Sequence, residues 1–402
     1  MSTTPRGLAI VETLQAKGVH LPNPGSLDIA DDVDPDRISG DGVTIHAGCR
    51  LRGARTVISA GCTLGAEGPV TLDDCQLGPG VDLKGGYFAK AVFLEGANLG
   101  LAAHVREGTI LEEEAGGAHC VGLKQTILFP FVTLGSLINF CDCLMSGGTS
   151  RSDHSEVGSS YIHFNFTPDG NKTTASLFGD VPRGVMLDQP AIFLGGQGGA
   201  VGPVYTGFGT VVAAGSVLRS DVDDDGLLVI PDAPQPHTRP VAKHSYRQLP
   251  RLLERNLTYV ASLDALDAWY RGVRRPFFAA QELGALVYEG ALAALAGARA
   301  ERLKRLKTLI GHVDDADPAR AQLKERADAF LGGFGSPATE VPEALAAELA
   351  AALAAGRSYI AAIKQLSPDA RAAGVAWLQG IIDGRTAAAA ASVPALSLFT
   401  RA

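Results

Sequence analysis

The chain has 402 residues and a mass of 41.7 kDa, enough for two or three domains, since single cores usually stop growing at about 250–300 residues. Its 35 basic against 43 acidic side chains leave a net charge of −8, and without a basic excess a general nucleic-acid or membrane-surface binder is not expected. Six cysteines, Cys49, Cys62, Cys75, Cys120, Cys141 and Cys143, show no paired spacing, so they read as small buried side chains of a reducing, cytoplasmic compartment rather than a disulfide scaffold.

Residues 1–35 read as an N-terminal helix and linker. MSTTPRGLAIVETLQAKG has neither the basic start nor the apolar run of a secretory signal. No stretch reaches the roughly 20 apolar residues of a membrane span, and the most apolar run, Ala344 to Ala355, contains Glu348. Across 36–230 glycine is crowded: most of the 48 glycines precede Asp232. In the same region aliphatic residues recur every six positions: Ile45, Leu51, Val57; Leu64, Val70; Leu77, Leu83; Leu99, Val105, Leu111; and later Val212, Leu218. A period of six with an aliphatic at each node predicts short parallel strands coiled into a β-helix, whereas the turns of a β-sandwich come every 8–12 residues.

The proline-rich stretch 231–243 can hold neither a helix nor a full strand ladder, and it marks the domain boundary. Over 244–402 the apolar spacing changes to three and four, which predicts an α-helical domain with segments at 251–273, 285–313, 321–331, 342–366 and 367–383. Ser367 and Pro368 are a fitting N-cap and first-turn pair. The run Arg302, Lys304, Arg305, Lys307 reads as a solvated helix face.

VETLQAKGVHLPNPGSLDI resembles the linker helix and G-V-x-L-x-x-P segment of the bifunctional N-acetylglucosamine-1-phosphate uridyltransferase and glucosamine-1-phosphate acetyltransferase family. GAHCVGLKQTILFPFVTLGSLINF and the stretch from YIHFNFTPDGNKTTASLFGDV to FGTVVAAGSVLRSDV resemble that family's acetyltransferase coils, with its N-Y-D-G-x-N-K stretch and closing A-A-G-x-x-V-x-R-x-V. The likeness covers about residues 11 to 225. It implies a left-handed β-helix, acetyl-CoA or another acyl-CoA as donor, a sugar phosphate or nucleotide sugar as acceptor, and a homotrimer with sites between neighbouring solenoids. The uridyltransferase's glycine-rich nucleotide loop has no counterpart, so nucleotidyl transfer is not expected; LGGQGG, Leu194 to Gly199, reads as a tight corner.

Acyl transfer needs a base for the amine proton, donors for the oxyanion and cations for phosphate. At the place of the family's catalytic histidine this chain reads Asn139, Phe140, Cys141, and phenylalanine accepts no proton. Turning Ile162, Phe164 and Phe166 inward puts His163 on the outer face beside Asn165, which matches a substrate-contacting asparagine of the family. His163 is therefore the expected displaced base, with His154, next to Asp153, the second candidate. The resemblance further implies Arg106, Lys124, Asn139 and Lys172 as substrate contacts, and Gly196, Ala213 and Arg219 as the lining of a coenzyme A cleft. No metal is expected: Cys141-x-Cys143 with His154 and His163 fits no common zinc spacing. Asp221, Asp223, Asp225, Gly226 and Asp232 mimic a calcium loop that lacks its closing glutamate. The expectation is thus a coenzyme A-dependent acyltransferase, with a catalytically degenerate sugar-nucleotide binder or oligomeric scaffold as the alternative.

Overall fold

A computed structural model describes residues 7–400 apart from 233–234, 239, 242, 316 and 338–339. The first six residues of the expected N-terminal region and four positions of the expected linker 231–243 lie outside the described residues.

The hexad nodes behave as inward side chains of a solenoid must: Ile45, Leu51, Leu64, Leu83, Leu99, Val105, Leu111 and Val212 are all buried. Removing such a side chain from water contributes roughly 1.5–3 kcal/mol each, and stacking them coil on coil holds the tube together. The strands are two to eight residues long and pair in parallel with the coil above and below, giving a β-helix of about eleven turns. A first face is a ten-stranded sheet from Thr44–Ile45 to Leu228–Val229. The second face runs from Asp28–Ile29 through Ala103–Val105 and Ile162–Phe164 to Val217–Leu218. The third runs from Val57–Ile58 through Thr109–Leu111 to Tyr205–Thr206. The strands Val121–Leu128 and Ile138–Met145 continue from second face to third.

The first strand starts earlier than expected, and one node shifts. Asp28–Ile29 pairs with Arg50–Leu51, so the first coil begins inside the stretch assigned to the linker. On the third face the inward column is Ile58, Leu77, Phe93, Leu111, Leu128, Met145 and Phe178, which leaves the expected node Val57 facing outward, in register with Gln76 and Val92. Val57 is nevertheless fully buried. What buries that outer surface is the helical domain.

The helices of that domain are Leu249–Trp269, Gly284–His312 and Pro368–Ser392, with shorter ones between. Ser367 caps the last of these, its side chain accepting from the Ala370 N–H, with Pro368 in the first turn. The expected segment 342–366 is two helices, Glu343–Ala354 and Tyr359–Lys364, because Gly356 sits at φ +69° and ends the first. The basic run is not one solvated face: Arg302 is buried against the Asp142 carboxylate at 2.9 Å, while Lys304 and Lys307 are exposed. A second buried cation, Arg274, is held by Glu112 at 3.1 Å and by Glu113, with its guanidinium 4.0 Å from the centre of the Tyr359 ring. Both pairs join the helical domain to the solenoid.

Candidate functional site

The second face carries an open groove. In Ala103–Val105 the alternation of strand side chains sends Ala103 and Val105 inward and His104 outward. Arg106 follows on the exposed side, and its N–H donates to the Leu123 carbonyl of the next coil at 2.9 Å. His104 pairs in register with Gly122, and Gly122 with Asn139. Since Gly122 has no side chain, a gap opens between the outward residues of the coils on either side. The result is a groove of about 350 Å³ that His104, Arg106, Cys120, Gly122, Asn139 and Cys141 line. The His104 ring stacks on Tyr87 at 5.1 Å between centroids, which fixes the plane of the imidazole while leaving it exposed. Cys141 donates its thiol to Asn139 Oδ1 at 3.2 Å, and burial pushes that thiol up to about 11, so it is not a thiolate at neutral pH.

Of the expected site residues, Arg106 and Asn139 meet in this groove. The others do not. The parity expected for Tyr161–Phe166 is reversed: Ile162, Phe164 and Phe166 are exposed, and His163 is 1% exposed in the lumen. The physical reason is register. Ile162 pairs with Asn139, so the next residue, His163, stacks on the inward Phe140 in the column that includes Leu51, Val105 and Leu123. There its Nε2 bonds the Ser176 hydroxyl at 2.8 Å, and burial, opposed by the Asp142 charge, pulls its pKa down to about 4. A base in the lumen touches no substrate on the outer face. Phe140 is equally inward, so the outward positions at the family's histidine place are Asn139 and Cys141.

Asn165 is drawn to the neighbouring coil, its Nδ2 donating at 3.0 Å to Asp142, the carboxylate that also holds Arg302 of the helical domain. His154 lies in a small hairpin with Nδ1 bonded to the Arg151 carbonyl at 2.9 Å; its neighbour Asp153 accepts instead from Thr149, so no His154–Asp153 dyad forms. Lys172 belongs to the loop that Tyr246 holds through Asn171 and Asp169. Lys124 turns away from the groove and pairs with Glu107 at 2.8 Å; partial desolvation raises the Glu107 carboxyl, but the Lys124 ammonium outweighs it and the pKa falls below the ordinary value. Gly196 and Ala213 form stacked corners of the late coils, with the Gly215 N–H donating to Gly196, and Arg219 stands exposed after Leu218. Arg219 lies five coils from Arg106, roughly 24 Å along the axis at about 4.8 Å per coil.

One further expectation changes. Cys120 is exposed while the other five cysteines are buried. The carboxylates of the calcium-like loop are engaged by arginines: Asp221 by Arg251 and Arg255, Asp223 by Arg255, and Asp225 by Arg183. His104 is the residue that sequence reasoning missed. Its signal was available, since a node at Val105 forces both His104 and Arg106 outward.

No protein-family model matches the chain. The chain is similar to the bifunctional protein GlmU. It is 30% identical over 198 residues to GlmU of Trichlorobacter lovleyi, covering 49% of this chain and 38% of that one. To GlmU of Kineococcus radiotolerans it is 30% identical over 221 residues, 54% and 39% of the two chains, and to that of Oleidesulfovibrio alaskensis 28% over 213 residues, 53% and 41%. The chain thus spans about two fifths of the length of the curated relatives it matches. The resemblance read from the linker and coil motifs is borne out, and the parallel β-helix agrees with it.

Proposed function

We propose that the second face of the solenoid carries an acyl-transfer site for an amino-sugar phosphate or nucleotide sugar, with acetyl-CoA or another acyl-CoA as donor. The observation that supports this most is the convergence of His104, Arg106 and Asn139 on one groove, in a chain similar to GlmU. Arg106 presents a two-pronged donor for a phosphate. The Asn139 carboxamide is placed for a sugar hydroxyl or carbonyl. The His104 imidazole, exposed and held by Tyr87, takes the proton of the sugar amine as its nitrogen attacks the thioester carbonyl. The C–N bond forms, the C–S bond breaks, and the thiol leaves with the proton that His104 releases.

The Arg219 end of the face lies five coils from this groove, and in the trimer near 125 kDa that the resemblance implies, about three times the chain mass, the donor would lie between neighbouring solenoids. Light scattering that finds a stable monomer removes the shared site.

The test is release of free coenzyme A thiol from acetyl-CoA in the presence of glucosamine 1-phosphate. His104→Ala is expected to lower turnover by roughly 10² to 10⁴ with KM little changed, and Arg106→Ala to raise KM. The inward Phe140 and His163 favour the second reading, a sugar-nucleotide binder without catalysis. In that case no thiol appears with either protein, and His104→Ala alters only ligand affinity.

A further inference from the structure

The long helix Gly284–His312 lies along one edge of the solenoid, the corner between second and third faces. Gly290 sits against Gln76, where an added Cβ would lie 2.3 Å from the Gln76 side chain. Twelve residues later Arg302 meets Asp142. A helix rises about 18 Å over that distance, and the four coil steps from Gln76 to Asp142 advance about 19 Å, so helix and solenoid stay in step. The corner itself repeats one backbone device per coil: Asp74, Lys90, Gly108, Gln125 and Asp142 all have positive φ, between 51° and 73°. Asp74, Lys90 and Gln125 line the cleft beside the helix, and Asp142 meets its Arg302.

Between these two anchors the surfaces part, leaving a cleft of about 570 Å³, ample for a small metabolite. It is open because the helix presents small residues there, Ala293, Gly297 and Ala300 among them. Five cations and three carboxylates line it. Lys124 is paired with Glu107 at 2.8 Å, Arg305 with Glu301 at 2.6 Å, and Arg55 with Asp74 at 4.0 Å. Among the described residues that leaves Lys90 from the solenoid and Lys304 from the helix without a carboxylate, a surplus of two positive charges. Gln125, 6% exposed, lines the same cleft, and its side-chain oxygen has no hydrogen-bond partner among the described residues. A buried carboxamide oxygen left without a donor is costly, and a hydroxyl satisfies it.

We propose that this cleft binds a phosphate monoester of a hydroxylated small molecule, a sugar phosphate or similar polyol phosphate. The phosphate, carrying about −1.5 to −2 at neutral pH, lies between Lys90 and Lys304. A hydroxyl donates to Gln125, and the C–H face of the molecule lies on the wall of Ala293, Gly297 and Ala300. The site is separate from the groove of His104 and Arg106 and does not depend on its being an acyl-transfer site.

Isothermal titration calorimetry with glucose 6-phosphate on the full chain tests it. Binding is expected, tighter than that of inorganic phosphate or glucose alone. Lys90→Ala combined with Lys304→Ala should weaken it by about tenfold or more, the loss expected for charge-assisted contacts. Gly297→Phe, at a helical position where a Cβ meets open space, should fill the cleft and abolish binding. Arg106→Ala, in the outer groove, should leave this binding unchanged. The proposal is overturned by absence of binding at about 10 mM ligand. It is also overturned by an affinity indifferent to the two lysines, by loss of binding in Arg106→Ala, or by inorganic phosphate binding as tightly as the sugar phosphate, which marks an adventitious anion only. The lysine variant lies on exposed side chains and keeps the test decisive if the phenylalanine variant does not fold.

Discussion

The second and third faces of the solenoid are built from the same coils, and they differ in one alternate position. On the third face most strands place an apolar residue outward as well as inward: Val57–Ile58, Val92–Phe93, Ile110–Leu111, Ile127–Leu128, Leu144–Met145 and Leu177–Phe178, with Gln76–Leu77 the polar exception within that run. On the second face the outward residues are Tyr87, His104, Gly122, Asn139 and Ile162. A strand buried on both sides reads as a continuous apolar run, and one buried on a single side as an alternation. The outward residue alone therefore decides which face the helices cover and which remains free to meet a ligand.

The anchors of the covered face should give the largest effects. Arg274→Met leaves Glu112 and Glu113 buried without their cation, and a loss of about 3–5 kcal/mol is expected. Tryptophan fluorescence during urea unfolding reports it, since Trp269 and Trp377, the only tryptophans, both lie in the helical domain. A midpoint unchanged from wild type would show that the arginine is not what holds the helices to this face.

Matched substitutions sharpen the comparison. Ile127→Ala removes an outward side chain that is 1% exposed beneath the helical domain and should cost about 2–5 kcal/mol. Ile162→Ala removes one that is 41% exposed on the second face and should change stability by no more than about 0.5 kcal/mol. Equal losses in the two variants would mean that the second face is covered as well, as it would be in a tight trimer.

Fold class was legible because a solenoid repeats its rule: with nodes every six residues, an error at one coil is corrected by the next. The docking of the helices was legible too, in the paired apolar residues of the third face, though the hexad nodes alone do not use that signal and place Val57 one position out. The site was harder. YIHFNF sets Ile162, Phe164 and Phe166 on one face against Tyr161, His163 and Asn165 on the other, and hydrophobicity votes for the wrong face. Register overrules it, because Ile162 must pair with the outward Asn139. Arg106 and Asn139 reach the groove because unambiguous inward neighbours, Val105 and Phe140, fix their side. Lys124 is deflected by Glu107, and Asn165 by Asp142, contacts between coils or domains that local pattern does not contain.

His163 provides a small effect at neutral pH and the most informative one in acid. Burial lowers its pKa to about 4, against an ordinary value near 6.5. Between those two values the unfolded chain binds a proton at this residue that the folded chain does not. The folded state is therefore at its full stability above pH 6.5 and loses stability as the pH falls towards 4, by up to about 3 kcal/mol from this residue alone. His163→Leu keeps an apolar node in the lumen column and removes the titration. At pH 7.5 it should be less stable than wild type by only about 1 kcal/mol, because the Ser176 hydroxyl loses its partner. At pH 4.5 the order should reverse, with the variant the more stable, as measured by urea midpoints at the two pH values. The same acid slope in both proteins would place His163 in contact with water, and would reopen the second face as its home.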